Sequence, residues 1–344
     1  MEKQISIIIP TYNMEAYIGK CLDSLLIPEF DAVEVLVVND GSKDRSSEIA
    51  HSYADRYPGS IRVIDKPNGN YGSCINAALP LATGRYIKVL DADDTFDTAA
   101  FSSFVNQIES VHSDAIALPY NKVDEHGEVI RLHDFAKNKP VFGKLYELDA
   151  AEGILSDCYI EMHHLAYSKE IFNRFRYVQT EGISYTDNEW TILPLSYCSS
   201  IVFLNIPVYK YLIGRQGQTV DSVNIPKFIP TVFDILERLF INNNFATSEF
   251  FNKQFFRKML IERYKMLYWF VKGNLNPQTM DVLSVHDRWL YENFSDCYEI
   301  LGETRLYPKI NYRVITDIRK KKYSPQFRVP LSTRLLAAIR NRLF

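Results

Sequence analysis

The run Arg-Tyr-Ile-Lys-Val-Leu-Asp-Ala-Asp-Asp, from Arg85 to Asp94, is a short β-forming stretch that ends abruptly in three carboxylates. In an open α/β sheet, ligands bind just beyond the carboxyl ends of the strands, so a ligand site is expected here. Asp91 and Asp93 are two residues apart and point the same way in extended backbone. Converging carboxylates can hold a hard cation such as Mg²⁺ or Mn²⁺, which bridges substrate phosphates. The alternative is a polar turn with a helix cap.

Runs rich in β-forming residues recur before this stretch, at residues 4–9, 33–38 and 61–64. The first is continuous and β-branched, as in a strand that is buried on both faces of a parallel sheet. Apolar residues at helical spacing follow the runs, and further strands are predicted at residues 114–118 and 201–204. Strands that alternate with helices indicate βαβ units with right-handed crossovers. We therefore predict an α/β fold with a doubly wound, mostly parallel sheet.

The length and the hydrophobic pattern predict two domains. A chain of 344 residues is long for a single hydrophobic core. From residue 225 onward the β pattern ends, and large apolar side chains such as Phe255, Met259 and Leu267 repeat at helical spacing. We predict a ligand-binding α/β domain over residues 1–222 and a helical appendage over residues 223–344.

The composition excludes several classes of protein. Hydrophobic residues make up 47% and charged residues 24% of the chain, as in ordinary globular proteins. A formal net charge of -3 argues against a nucleic-acid partner, and no apolar run reaches the ~18 residues of a membrane span. The five cysteines are scattered without a CxxC pair, and the first residues lead straight into a strand. We therefore expect reduced thiols, no signal peptide and a cytoplasmic location.

The last forty residues are basic. Between residues 305 and 344 there are eleven lysines and arginines against one acid, Asp317. Apolar side chains at Leu331, Leu335, Ile339 and Leu343 would line one face of a terminal helix. Such a helix either lies on the anionic inner face of a membrane or docks on the appendage with its charges in solvent.

Several polar residues outside the acidic stretch are candidates for a binding site. The first strand ends in Pro-Thr-Tyr-Asn rather than a glycine-rich loop, so a nucleotide is not held in the dinucleotide manner. Asp40 follows the second strand and either accepts a hydrogen bond from a base or ribose or belongs to a turn. Arg215 lies in a polar loop and either reaches a diphosphate or is solvated. The adjacent His163 and His164 cannot share a face, so a two-histidine metal site is not expected.

Taken in order, these segments resemble a family 2 glycosyltransferase of the GT-A fold, the bacterial type that builds cell-wall and exopolysaccharide glycans. The matching segments are residues 7–13, 38–44, 68–76, 82–86 and 91–94. They cover roughly the first 100 residues strongly, and the match thins toward residue 220. Each motif is weak alone, but the ordered set is specific.

The resemblance implies an inverting transferase that moves a sugar from a nucleotide-sugar, expected to be a UDP-sugar, to a hydroxyl of a glycan or lipid-linked acceptor. Asp93 would hold Mn²⁺ or Mg²⁺, which neutralises the departing diphosphate. Asp187 would be the catalytic base that takes the acceptor's proton. The expected nucleotide-sugar contacts are Pro10, Thr11, Tyr12, Asp40, Asn68, Gly72, Asp91, Ala92 and Arg215. His164, Glu189 and Trp190 are expected to border the acceptor or the sugar.

The sequence departs from the family pattern at two places and leaves two other functions open. Thr186 stands where the family usually has glutamate before the catalytic aspartate, and the run Cys74-Ile75-Asn76 lacks the arginine that many relatives carry before the asparagine. One alternative is a nucleotidyltransferase, although the glycine-rich and basic triphosphate loop of that class is missing. The other is a non-catalytic nucleotide-sugar-binding scaffold of a polysaccharide assembly complex.

Overall fold

The computed structural model describes residues 2–135, 139–157, 160–183, 186–215, 235, 254–273, 276–304 and 314–323. The chain divides into two compact units, Met1–Gln218 and Thr219–Phe344. The predicted boundary after residue 222 and the predicted terminal helix at residues 331–343 both lie outside the described residues.

The first unit is built on a large mixed sheet with a smaller sheet beside it. Within the described residues, the large sheet has the strand order β3-β2-β1-β4-β10-β6-β11-β9 and the small one the order β5-β12-β7-β8. The strands of the large sheet are β1 (Ile5–Thr11), β2 (Val33–Asn39), β3 (Ile61–Asp65), β4 (Tyr86–Val89), β6 (Ala115–Ala117), β9 (Leu145–Glu147), β10 (Leu165–Ser168) and β11 (Ser200–Phe203). Those of the small sheet are β5 (Thr95–Phe96), β7 (Tyr120–Val123), β8 (Val129–His133) and β12 (Tyr209–Leu212).

Parallel pairing at the centre of the large sheet follows from the apolar runs of the sequence. β1 pairs in parallel with both β2 and β4, and β2 pairs in parallel with β3. Helices cover these strands: α1 (Ile18–Asp23), α2 (Ser46–Arg56), α3 (Asn70–Ala78), α4 (Thr98–Ile108), α5 (Glu152–Asp157), α6 (Ile171–Arg174) and α7 (Asp187–Ser196). Ile5, Ile7 and Ile9 join α1, α2 and α4 in one core cluster, while α3 also packs against β1. The predicted doubly wound fold is confirmed.

One strand that the sequence pattern did not predict completes the centre of the sheet. β10 lies between β4 and β6 and is antiparallel to both. Lys88 of β4 is fully buried and donates hydrogen bonds to the carbonyl oxygens of His163, at 2.8 Å, and Leu165, at 3.1 Å. Burial lowers the pKa of Lys88 to about 7. The buried lysine therefore fixes the start of β10 beside the strand that carries the acidic turn.

The second unit is helical wherever the structure describes it. Its helices are α8 (Gln254–Gly273), α9 (Pro277–Asn293), α10 (Ser295–Glu303) and α11 (Val314–Lys320), as the apolar spacing predicted. Asn276 caps α9 by accepting a hydrogen bond from the Thr279 backbone amide, and Pro277 begins the helix. Among the helices of the described ranges, none is long and apolar enough to cross a membrane.

Candidate active site

The carboxyl ends of three neighbouring parallel strands bring the candidate residues to one edge of the sheet. Thr11 of β1 is paired with Asn39 of β2, which places Thr11 and Asp40 at adjacent strand ends. β4 lies on the other side of β1 and leads directly into Asp91. The acidic turn and the polar turn after β2 therefore flank the end of β1, where a doubly wound sheet binds its ligands.

Three predicted carboxylates converge at this edge. Asp91 accepts a hydrogen bond from the Tyr71 hydroxyl of α3 at 3.1 Å. Burial raises the pKa of Asp91 to about 7, and the nearby charges of Asp93 and Asp187 act in the same direction, against Tyr71 and Arg215. Asp187 is the first residue of α7, and Thr186 precedes it as the N-cap residue. The structure thus joins residues almost a hundred positions apart in one acidic cluster.

Arg215 is the cation of this cluster. Its Nε donates to Asp93 Oδ2 at 2.5 Å, and its guanidinium lies 5.4 Å from the centre of the Tyr17 ring. The loop after β12 carries this arginine to the acidic turn, as its predicted role toward a diphosphate requires. A cavity of about 850 Å³ opens beside Asp93 and Arg215 and is also lined by Tyr17, Lys20 and Lys210. That volume lies in the range of small-molecule sites, but Asp91, Asp187 and Tyr12 do not line this cavity.

Two residues to which the sequence analysis gave no ligand role, Asp94 and His163, also meet here. Among the described residues, Asp91, Asp94 and His163 offer ligand atoms that all lie within 4.8 Å of one another. Asp94, however, accepts hydrogen bonds from the Tyr209 hydroxyl and the Leu212 amide, both at 2.7 Å. Both of its carboxylate oxygens therefore hold β12 against the acidic turn. The third carboxylate of the Asp-Ala-Asp-Asp run was the available signal for this role.

His163, rather than its neighbour His164, approaches the acids. Burial, together with His164 and Lys88, lowers the pKa of His163 well below the ordinary histidine value, so the ring is neutral. Its Nδ1 finds no hydrogen-bond partner among the described residues. A neutral imidazole with an unpaired nitrogen is chemically able to bind a cation or to accept a proton.

The donor set of the cluster fits a hard divalent cation. Asp91 and Asp93 supply carboxylate oxygens at the end of one strand, which is the ligand type that Mg²⁺ and Mn²⁺ prefer. Burial is the main cause of the raised pKa of Asp91, and the charges of Asp93 and Asp187 add to it, against the smaller effect of Arg215. An added cation would favour the charged form of these carboxylates.

The residues on the other flank of β1 form a hydrogen-bonded turn. Asp40 Oδ1 accepts from Lys66 Nζ at 2.6 Å and from the Gly69 amide at 2.9 Å, while Oδ2 accepts from the Asn70 amide at 2.9 Å. Asn68 Nδ2 donates to the backbone oxygen of Asp40 at 3.0 Å. Asp40 therefore caps the start of α3 in this structure. A hydrogen bond from a nucleotide base to Asp40 would come in addition to these contacts.

The remaining predicted nucleotide contacts differ in exposure. Tyr12 is 44% exposed, so its ring is available for stacking, whereas Pro10 is half-buried. Thr11 is buried and donates to the Ile9 oxygen, and Ala92 is buried in the core cluster. Only backbone atoms or a small part of the surface of these two residues would be available to a ligand.

Close packing requires a glycine at position 72, which the sequence alone did not reveal. A Cβ at this position would lie 2.0 Å from the Thr180 carbonyl oxygen, so α3 can approach the segment before α7 only because residue 72 is glycine. Asn76 holds the same segment, because its Oδ1 accepts from the Gln179 amide and its Nδ2 donates to the Gln179 oxygen, both at 2.8 Å. These contacts position the chain that leads to Asp187.

Three residues predicted to border the acceptor or the sugar lie in the interior. Trp190 is 0% exposed and stacks on Phe172. Glu189 is 4% exposed and accepts hydrogen bonds from the Thr180 amide and hydroxyl, each at 2.6 Å. His164 is 1% exposed and its Nδ1 accepts from the Glu161 amide. Their predicted contact with a ligand finds no support in this placement.

The family model described as Glycosyl transferase family 2 matches residues 6–175, which include the acidic turn and both of its flanks. The part of the chain that this model covers therefore belongs to glycosyl transferase family 2. The chain is 40% identical over 118 residues to the "Uncharacterized glycosyltransferase EpsJ" of Bacillus subtilis, over 34% of each protein. It is 48% identical over 100 residues to the "Uncharacterized glycosyltransferase MG025 homolog" of Mycoplasma pneumoniae, over 28% of this chain and 33% of that protein. The match thus spans about a third of the length of these curated relatives.

The fold of this chain resembles that of a solved GT-A enzyme. The structure of S. aureus TarS 1–349 in complex with UDP-GlcNAc superposes with a TM-score of 0.66 and 22% sequence identity, over 92% of each chain. At that identity the likeness concerns the fold alone. The predicted GT-A architecture, with helices at the C-terminal end, is therefore confirmed.

Proposed function

We propose that this chain is an inverting glycosyltransferase. It moves a sugar from a nucleotide-sugar to a hydroxyl of a glycan or lipid-linked acceptor, with help from Mn²⁺ or Mg²⁺. The observation that carries this proposal is the convergence of Asp91, Asp93, Asp187 and Arg215 at one edge of the sheet. That arrangement combines a place for a cation, a place for a diphosphate and a separate carboxylate on another element.

Each residue of the cluster has one task in the proposed reaction. Tyr12 stacks on the base, and Asp91 accepts hydrogen bonds from the ribose. Arg215 turns from Asp93 to the diphosphate, for which its fork of donors is suited. Asp187, on a different helix from the metal-binding turn, accepts the proton of the acceptor hydroxyl as that oxygen attacks the sugar. Attack from the side opposite to the leaving group inverts the anomeric centre.

Asp93 would hold the divalent cation, and Asp91 would lie beside it. When bound, such a cation supplies a positive charge next to the diphosphate that leaves. A UDP-sugar is the donor we favour, because TarS, whose fold this chain shares, was solved with UDP-GlcNAc. We further propose a cytoplasmic location for the reaction, at the inner face of the membrane if the acceptor is lipid-linked.

The proposal is tested by nucleotide-sugar binding and turnover with Mn²⁺, measured for the wild type, Asp187→Asn and Asp93→Ala. We expect Asp187→Asn to bind the donor normally and to lower the turnover number by roughly 10²–10⁴, since it removes the base. Asp93→Ala should lose the Mn²⁺-dependent part of donor binding. Asp55→Asn, an exposed position on α2, is the matched control and should behave as the wild type.

Near-normal turnover by Asp187→Asn would contradict its role as base. Donor binding without turnover, even with acceptor extracts, would favour the scaffold function instead. If no nucleotide-sugar binds, the interpretation of the acidic cluster is wrong.

A further inference from the structure

Exposed apolar side chains are concentrated on one short segment of the first unit. Of the twelve large apolar side chains that are well exposed in the described part of the chain, six lie between residues 129 and 145. They are Val129, Ile130, Leu132, Val141, Phe142 and Leu145. Single exposed apolar residues are normal on a protein surface, but a cluster of them marks an interaction site. We call the described residues 129–135 and 139–145 the apolar edge, since they include β8 and part of β9, the end strands of the two sheets.

The two parts of the apolar edge are held together by Phe203 of β11. The ring of Phe135, just after β8, lies 5.0 Å from the Phe203 ring, and the ring of Tyr146 in β9 lies 5.8 Å from it. The Gly143 amide donates to the Phe203 oxygen at 2.9 Å. The apolar edge is therefore a fixed part of the first unit.

A tight turn presents two apolar side chains at the tip of this edge. The Lys144 amide donates to the Val141 oxygen at 3.2 Å, which closes a four-residue turn with Phe142 and Gly143 at its centre. Gly143 has a φ of +79°, as the third residue of a type II turn requires. Val141 is 63% and Phe142 40% exposed. The turn thus presents two adjacent apolar groups to solvent.

The charged residues nearest the tip in the described sequence are lysines, and the first acids on either side are Asp134 and Glu147. Lys139 and Lys144 are exposed on either side of Val141 and Phe142. Apolar side chains flanked by lysines suit the boundary of an anionic bilayer, where the rings enter the headgroup region and the ammonium groups stay among the phosphates.

We propose that the apolar edge docks this protein on an anionic lipid bilayer, with Val141 and Phe142 inserted and Lys139 and Lys144 against the lipid headgroups. A second copy of the chain fits this surface less well. A two-fold interface places a patch against itself, and at the tip it would bring Lys139 and Lys144 of one copy close to the same lysines of the other. The proposal does not depend on the donor or on catalysis.

The test is co-sedimentation of the full chain with vesicles of phosphatidylcholine alone or with one quarter phosphatidylglycerol. We expect binding to the anionic vesicles that weakens in 0.5 M salt because the charges are screened. The double variant Val141→Ser/Phe142→Ser should bind at least tenfold more weakly. Lys139→Ser/Lys144→Ser should lose about fivefold per lysine. Val285→Ser/Ile300→Ser removes equally exposed apolar groups from α9 and α10 and should bind as the wild type does.

Insertion is tested separately by a Phe142→Trp variant and brominated lipids. We expect the brominated lipids to quench the fluorescence of Phe142→Trp more than that of the wild type with its three native tryptophans. The fluorescence of Val285→Trp should be quenched no more than that of the wild type. The proposal is overturned if Val141→Ser/Phe142→Ser binds vesicles as tightly as the wild type or if Phe142→Trp is not quenched. It is also overturned if the wild type does not bind the vesicles. The same holds if the wild type is a dimer in analytical ultracentrifugation and Val141→Ser/Phe142→Ser converts it to a monomer.

Discussion

Arg215 neutralises the carboxylate that we assign to the metal. Its Nε lies 2.5 Å from Asp93 Oδ2, and both side chains are largely buried, at 16% and 13% exposed. A divalent cation on Asp93 would have to displace this contact, which frees the arginine for the diphosphate. The pair therefore links metal binding to the release of a second cation toward the donor.

The Arg215→Gln substitution should separate these two effects. Without nucleotide, we expect Mn²⁺ to bind roughly fivefold more tightly, because the competing cation on Asp93 is gone. With Mn²⁺ present, the affinity for a UDP-sugar should fall, because the diphosphate loses a charged donor. Titration calorimetry with Mn²⁺ alone, then with the nucleotide-sugar, measures both.

Lys210→Gln provides the matched control for this substitution. Lys210 lines the same cavity but pairs with Asp97 at 2.8 Å, so its loss should leave Mn²⁺ binding unchanged. Unchanged or weaker Mn²⁺ binding by Arg215→Gln would contradict the competition.

At this scale the sequence pointed to the residues of the acidic cluster but not to their hydrogen-bond partners. Asp91 and Asp93 follow from the pattern of a strand that ends in acids, whereas Asp187 was singled out by the family resemblance. The contacts of Asp40 with Lys66, Gly69 and Asn70 were not predicted, because a hydrogen bond across some thirty residues leaves no local pattern. The same is true of Gly72, where the carbonyl oxygen of Thr180, far along the chain, leaves no room for a side chain.

Among the elements, the long apolar strands were predicted and several short strands were not. β1 and β2 are runs buried along nearly their whole length, so the pattern alone identifies them. β10 has four residues, and its place between β4 and β6 depends on pairing with residues 50 to 80 positions away. Short strands of this kind take their structure from their neighbours rather than from their own sequence.

One acid joins three of these elements. Asp114, just before β6, accepts two hydrogen bonds from Arg174 of α6, at 2.7 and 2.9 Å, and one from the Ser199 amide next to β11, at 2.6 Å. Burial opposes its charge, but these bonds outweigh burial and lower the pKa of Asp114 below the ordinary aspartate value. Its contribution to stability is therefore present above about pH 4 and is lost as the pH falls through the lowered pKa.

Asp114→Asn should destabilise the protein at pH 7 by about 1–3 kcal/mol, because charge-assisted hydrogen bonds are lost. The midpoint of thermal unfolding should fall by about 2–8 °C at pH 7. The difference from the wild type should shrink as the pH is lowered from 4 to 2. A constant difference at every pH would show that the charge of Asp114 is not the cause, and Asp55→Asn should show no difference at neutral pH.

At the scale of the whole molecule, the chain changes from strands and helices in its first unit to helices alone in the described part of its second. The sequence predicted this change, because the hydrophobic period switches from strand-like runs to helical spacing. It did not predict what holds the second unit. Asp287 of α9 is fully buried and accepts from Arg319 of α11 at 2.7 and 2.8 Å and from the Tyr323 hydroxyl at 2.5 Å.

Breaking this pair on one side should loosen the second unit. Asp287→Asn leaves Arg319 buried without its counter-charge, which costs about 3–5 kcal/mol. We expect faster amide hydrogen exchange in α9 and α11, measured by mass spectrometry of their peptides. Asp317→Asn is the control, because Asp317 forms a more exposed pair with Lys321 at 3.9 Å, and it should change exchange little. Equal exchange in Asp287→Asn and the wild type would mean that the pair contributes little.

During synthesis, β4 leaves the ribosome long before the strand that covers its outer side. β10 begins more than seventy residues after β4 ends, which at about 5–20 residues per second corresponds to roughly 4–15 s. Throughout that interval the nascent sheet has an open, apolar margin that could pair with other chains. Arg215 is synthesised later still. Until then the negative charge of Asp91, Asp93 and Asp187 lacks the arginine that partly balances it in the folded protein. We therefore expect the folding of the first unit during synthesis to be sensitive to chaperones and to the rate at which residues 90–215 are translated.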